Sequence, residues 1–178
     1  MDQLKITIAL VLAILLQWTL RNVAEPFAYI DFPLIIVVYA ALQRDAIKAI
    51  FFGTFAGLAV DALSGGLLGS NAFAKTLIAY IVSEIARRVY MDNLLLRIPV
   101  IAGACLLDDL VYFGLHKLLG QDIGDLLVKV AYTLIGTTIA GTFIYIILDY
   151  VLVEKKRARK PEFFSPKRQT RRKNPIRF

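Results

Sequence analysis

The sequence predicts an all-α, polytopic membrane helix bundle of about six transmembrane helices, and three observations predict it. Of 178 residues, 58% are hydrophobic and the mean hydropathy is +0.64, whereas a soluble globular domain is roughly 45–50% apolar. The apolar residues fall into successive runs near the length of a bilayer crossing, with short polar connections between them. The charge is segregated: Lys155 to Phe178 holds eleven Lys/Arg and one acid, Glu162, while residues 1–154 hold ten basic and thirteen acidic side chains. The overall +7 is therefore a slightly acidic body with a strongly basic tail.

These quantities divide the chain into a transmembrane bundle over residues 1–153 and a basic, disordered cytoplasmic tail over residues 154–178. A body of this size has no room for a soluble catalytic domain. The lone cysteine, Cys105, excludes an internal disulfide and lies in an apolar run, where it reads as a small buried hydrophobe. A basic tail beside a membrane segment points to anionic membrane lipids, not to nucleic acid.

In chain order, the first segment, Leu4 to Leu20, carries Lys5 at one end and Trp18 near the other. Those are the snorkelling cation and interfacial aromatic of a span. Its Ala9 and Ala13 form a small-xxx-small pair. No small-residue cleavage site follows, so the segment is expected to be retained rather than removed as a signal peptide. Only twelve uncharged residues separate Asp31 from Arg44, so the second segment is expected to be short, tilted or partly re-entrant. The third runs from about Ala46 to Leu63 and the fourth from Ser70 to Ala86, ending at Arg87-Arg88. The fifth runs from about Ile98 to Leu118, beginning after Pro99. The sixth is the clearest, with nineteen uncharged residues from Val130 to Leu148. Pro161, Pro166 and Pro175 discourage packed structure in the tail.

Basic residues set the orientation. With six spans, one side of the membrane holds Lys5, Arg44, Lys48, Arg87, Arg88, Arg97 and the tail, and the other only Arg21, Lys117 and Lys129. The bias predicts both termini in the cytoplasm. A five-span arrangement would place the two basic ends on opposite sides.

The third and fourth segments carry the most informative pattern. Gly53, Gly57, Asp61 and Gly65 recur every four residues, which places them on one helical stripe where small residues flank a carboxylate. Ser64-Gly65-Gly66 and Gly69-Ser70-Asn71 then read as a tight turn into a segment containing Lys75. This turn falls on the outer face, which brings Asp61, Lys75, Asp108 and Asp109 to similar depth. Charges there cost about 2.5–3.5 kcal/mol each at mid-helix and seek partners. Lys75 is expected to pair with Asp61 or with one of Asp108 and Asp109. The competing expectation leaves Asp61 at the interface and Lys75 snorkelling outward.

Chemistry-bearing motifs are absent. One histidine and one cysteine do not make a zinc site, and adjacent Asp108 and Asp109 point to different helix faces. Gly65-Gly66-Leu67-Leu68-Gly69 lacks the lysine and hydroxyl of a phosphate-binding loop. No catalytic residue, metal ligand or cofactor is expected. His116 stands in helical register with Tyr112 and Asp109, which admits a proton relay, but a lone histidine at a span end reads first as interfacial.

The run Gly53-x3-Gly57-Leu58-x2-Asp61-x2-Ser64-Gly65-x2-Leu68-Gly69-x-Asn71-Ala72, followed by a span with Tyr80, resembles the signature of the rod shape-determining MreD family. The detailed resemblance covers roughly Tyr39 to Ser83, and the rest agrees in layout. It implies a fold similar to the six-helix substrate-binding subunits of energy-coupling-factor vitamin transporters. It also implies a non-catalytic subunit of the bacterial cell-elongation complex in the inner membrane, which takes part in peptidoglycan synthesis. The implied partners are MreC, a cell-wall glycosyltransferase with its transpeptidase, and indirectly the MreB filament. The motif residues would serve close helix packing and the shaping of the outer hairpin.

The alternative function is that of a vitamin-binding membrane subunit of an energy-coupling-factor transporter, suggested by the six-segment plan and the inward polar groups. An intramembrane enzyme or proton-coupled transporter using Asp108, Asp109 and His116 lacks a second conspicuous polar helix to face them. For the tail, Lys155, Lys156, Arg157, Arg159 and Lys160, aided by Phe163 and Phe164, are candidates for adhesion to anionic lipid at about 1 kcal/mol per basic residue. The competing reading is a solvated extension that only fixes orientation.

Overall fold

A computed structural model describes residues 2–23, 29–65, 67–89, 94–120 and 126–157. These form six helices: α1 (Asp2–Val23), α2 (Phe32–Ala41), α3 (Ala46–Ser64), α4 (Ser70–Arg88), α5 (Leu94–Leu118) and α6 (Leu126–Arg157). No strand occurs among the described residues. The protein is an all-helical polytopic bundle, with α1, α3, α5 and α6 long and apolar enough to cross a membrane. The six expected segments each become a helix, but α2 and α4 fall outside that group for different reasons.

Helix α2 is only ten residues, about 15 Å at the α-helical rise, and all ten are buried. It packs on every other helix, and the remaining five are arranged around it. A uniformly apolar helix with no polar face is what a position enclosed on all sides requires. Helix α4 is long enough at nineteen residues but carries Asn71, Lys75, Glu84, Arg87 and Arg88. Its polarity is used internally, since Ser70, Lys75 and Ser83 are buried.

The outer helices are turned inside out relative to a soluble bundle. On α3, Ile47, Phe51, Phe55 and Leu58 are exposed, while Gly53, Ala56, Gly57 and Asp61 on the other face are buried. Apolar side chains outward and backbone groups paired within each helix are the arrangement a bilayer demands. Two boundaries differ from those expected. Helix α5 begins at Leu94, so Pro99 lies inside it rather than ahead of it; it forgoes one backbone donor within the second turn. Helix α6 runs through Arg157, so the backbone of Lys155, Lys156 and Arg157 continues the helix, whereas Arg159, Lys160, Phe163 and Phe164 lie outside the described residues.

The two ends of the bundle differ. Lys5, Arg44, Lys48, Arg87, Arg88 and Arg97 gather at the end where α2 and α4 finish and α3 and α5 begin. There Asp45 caps α3 through Lys48 N–H and pairs with Lys48 Nζ at 2.5 Å; these Lys48 hydrogen bonds hold its carboxyl below the usual range. Nearby, the Tyr39 and Tyr145 rings meet at a tilt with centroids 5.1 Å apart, and the Arg97 guanidinium lies 4.6 Å over the Tyr145 ring. The opposite end, where α3 turns into α4, holds the polar groups of the interior.

Candidate functional site

Close approach of α3 and α4 makes the site possible. A Cβ on Gly53 would stand 2.7 Å from the Lys75 carbonyl oxygen, and one on Gly57 would stand 2.3 Å from Ala72 Cα. Only glycine lets the two backbones meet at these points. Gly65 and Gly69 have open space around them but φ values of +63° and +101°, the left-handed conformation that a side chain opposes. The four-residue glycine stripe therefore has two separate jobs, contact along the helix and reversal at its end.

Asp61, 1% exposed, sits where that reversal folds back. Its Oδ2 accepts from the backbone N–H of Gly69 at 2.8 Å and of Ala72 at 3.2 Å. Its Oδ1 accepts from Asn71 N–H at 3.2 Å and Asn71 Nδ2 at 2.8 Å, with Ser70 Oγ at 3.4 Å. Helix α4 starts on Gly69, which has no side chain to cap it, so a carboxylate on the preceding helix satisfies its free amides. Negative charge at a helix N-terminus is favourable for the same reason that the amides are unpaired.

One turn further along α4, the Lys75 ammonium is wholly buried and forms ion pairs with Asp31 and, at 2.9 Å, with Asp108. Of the pairings expected for Lys75, that with Asp108 is the one made. The pairing with Asp61 is not, because both Asp61 oxygens are taken by the α4 amides. Asp109 also stays outside the pair, with a buried Oδ2 that has no hydrogen-bond partner, since the next residue on a helix points about 100° away. Snorkelling is ruled out for Lys75 by its burial.

In the sequence Asp31 marks only the boundary of the short second segment. In the structure it organises the buried start of α2, where every backbone donor is accounted for. Asp31 N–H donates to Thr137 Oγ1 at 3.1 Å, and Phe32 N–H to Gln17 Oε1 at 2.9 Å. Pro33 has no N–H, and Leu34 N–H reaches Asp31 Oδ1 at 2.9 Å. The signal was nevertheless present. From Arg44 at one surface, thirteen residues of helix reach about 20 Å, short of the ~30 Å hydrocarbon core. Asp31 had to lie inside.

Beside this Lys75–Asp31–Asp108 centre is a half-open polar pocket of about 270 Å³, bordered by Gln17, Arg21, Asp31, Asp108, Asp109 and Tyr112 among others. His116 is buried within the bundle, and its Nδ1–H donates to the Tyr112 carbonyl oxygen at 2.9 Å. That bond is spent within α5 and does not reach Asp109. Cys105 is buried against the Thr133 carbonyl of α6. No group of His, Cys, Asp and Glu arranged to hold a metal ion occurs among the described residues.

The helices thus hold two polar clusters, a carboxylate cap and a buried ion triad, joined through α4. Compared with known proteins, residues 2–155 match the family model described as rod shape-determining protein MreD. That span takes in the first five helices and nearly all of the sixth. No curated protein and no solved structure matches the chain.

Proposed function

Because the chain belongs to the rod shape-determining MreD family and is a membrane protein of the rod-shape determining system, we propose that it is a non-catalytic subunit of the inner-membrane cell-elongation complex. It holds MreC and, through it, the cell-wall glycosyltransferase and transpeptidase, with MreB coupled indirectly from the cytoplasm. The observation that carries this reading is the family match over nearly the whole helix bundle. The bundle itself favours a fixed platform: Lys75 is committed to Asp31 and Asp108, and the α3–α4 contact is backbone to backbone.

The distribution of basic residues supports a topology with both termini in the cytoplasm and the α3–α4 turn outside. The glycines and Asp61 of the hairpin then maintain the shape of the outer surface at which a periplasmic partner is met. Lys155 and the basic residues after it adhere to the anionic inner leaflet.

Affinity purification of the full chain from membranes in mild detergent tests the reading. Recovery of MreC and cell-wall synthases is expected, together with rounded cells on depletion. Recovery of ATPase transporter subunits instead, or normal rods after clean deletion in a host with no second copy, contradicts it.

A further inference from the structure

The polar pocket has an unbalanced charge. Three carboxylates, Asp31, Asp108 and Asp109, meet a single enclosed ammonium, that of Lys75, and Arg21 stands exposed at the rim. Asp31 is fully engaged: one oxygen takes Lys75 and the other the Leu34 N–H. Asp108 is not. Its side chain is only 7% exposed and lines the pocket, one oxygen is bonded to Lys75, and Oδ1 is buried without a partner. Asp109 lines the same pocket with a second unpartnered oxygen, Oδ2.

Buried carboxylate oxygens are ordinarily paired, and ionisable groups inside a membrane protein mark sites that find counter-charges. We propose that the pocket receives an ammonium or guanidinium group, bound by Asp109 and the free side of Asp108. The absence of a metal-holding group of ligands among the described residues favours a hydrogen-bonding organic cation over a metal ion. Tyr112 at the pocket wall adds an aromatic side chain, a residue type that attracts such cations. The cation is borne by a small molecule or by a Lys or Arg side chain of a partner. The proposal concerns the pocket alone and stands whether or not MreC is the partner.

The test uses the full chain in lipid nanodiscs and three probes: butylammonium, and the isosteric pair propylguanidinium and uncharged propylurea. Saturable thermal stabilisation by the two cations and none by the urea is expected. Asp109→Asn should weaken it at least tenfold without lowering the ligand-free melting temperature, and Asp109→Glu should retain it. In a second arm, a photo-crosslinking residue replaces Tyr112 in native membranes. An adduct to a peptide at a Lys or Arg, lost in Asp109→Asn, assigns the cation to a partner side chain; cation binding without that adduct assigns it to a small molecule. Equal response to the urea overturns the proposal, as does failure of both arms. Cation binding that appears only in Arg21→Gln overturns it too, because Arg21 then fills the pocket itself.

Discussion

Gly57 of α3 and Ala72 of α4 touch backbone to backbone, with Ala72 Cα 2.3 Å from where a Gly57 Cβ would stand. A methyl group there cannot be absorbed by a side-chain rotation, because the neighbouring atoms are main chain. Gly57→Ala should therefore cost at least about 1–3 kcal/mol, the usual range for overpacking. Gly53→Ala, at 2.7 Å from the Lys75 carbonyl oxygen, should follow it. Gly103→Ala, which meets nothing within 4 Å, should be neutral or slightly stabilising. Thermal unfolding of the three variants in one detergent reads the order.

Removing the ammonium at Lys75 leaves the buried Asp108 and the partly buried Asp31 without their ion-pair partner. Lys75→Met should cost about 3–5 kcal/mol, as does breaking other buried ion pairs. Adding Asp31→Asn and Asp108→Asn to Lys75→Met should restore much of that loss, since no uncompensated charge then remains in the triad. A triple variant no more stable than the single one contradicts the triad.

Coupling energies separate the two polar clusters. A double-mutant cycle between Lys75 and Asp108 should give a clear interaction energy, whereas the cycle between Lys75 and Asp61 should give a much smaller one. Asp61→Ala removes the acceptor for several α4 amides at about 1–3 kcal/mol for the unsatisfied donors. Hydrogen exchange at Gly69, Asn71 and Ala72 should speed up in that variant before exchange elsewhere in α4 does.

Orientation is open to chemical labelling. Cys105 is buried and should resist a membrane-impermeant maleimide. In a Cys105→Ser background, Leu68→Cys in the exposed α3–α4 turn should react from outside intact spheroplasts. Gln43→Cys, exposed at the opposite end, should react only after permeabilisation. The reverse pattern inverts the topology.

Much of this was legible in the sequence, for identifiable reasons. The helix positions followed from apolar run length, and Gly53 and Gly57, one turn apart on α3, located the α3–α4 contact because small residues at that spacing let backbones meet. What local pattern did not give was the partner choice of each charge. Asp61 looked like a counter-ion for Lys75 because both sit near the same turn. Its actual partners are main-chain amides of α4, which every sequence possesses and none advertises. From local pattern Asp31 reads as interfacial, as a charge before an apolar run ordinarily does, and only the shortness of α2 betrays its depth. Pro99 misplaced the start of α5 because the helix tolerates it within the second turn.

The enclosure of α2 also bears on how the chain is made. Ten residues opened by an aspartate are too short to rest across a bilayer alone, and the ammonium that neutralises Asp31 lies more than forty residues later, on α4. As the protein leaves the ribosome, α2 cannot commit to its final place until α3 and α4 have been delivered. Insertion and assembly are therefore a single late event for this helix. A nascent chain halted before Lys75 should leave α2 outside its final position, so biogenesis waits on one residue of the fourth helix.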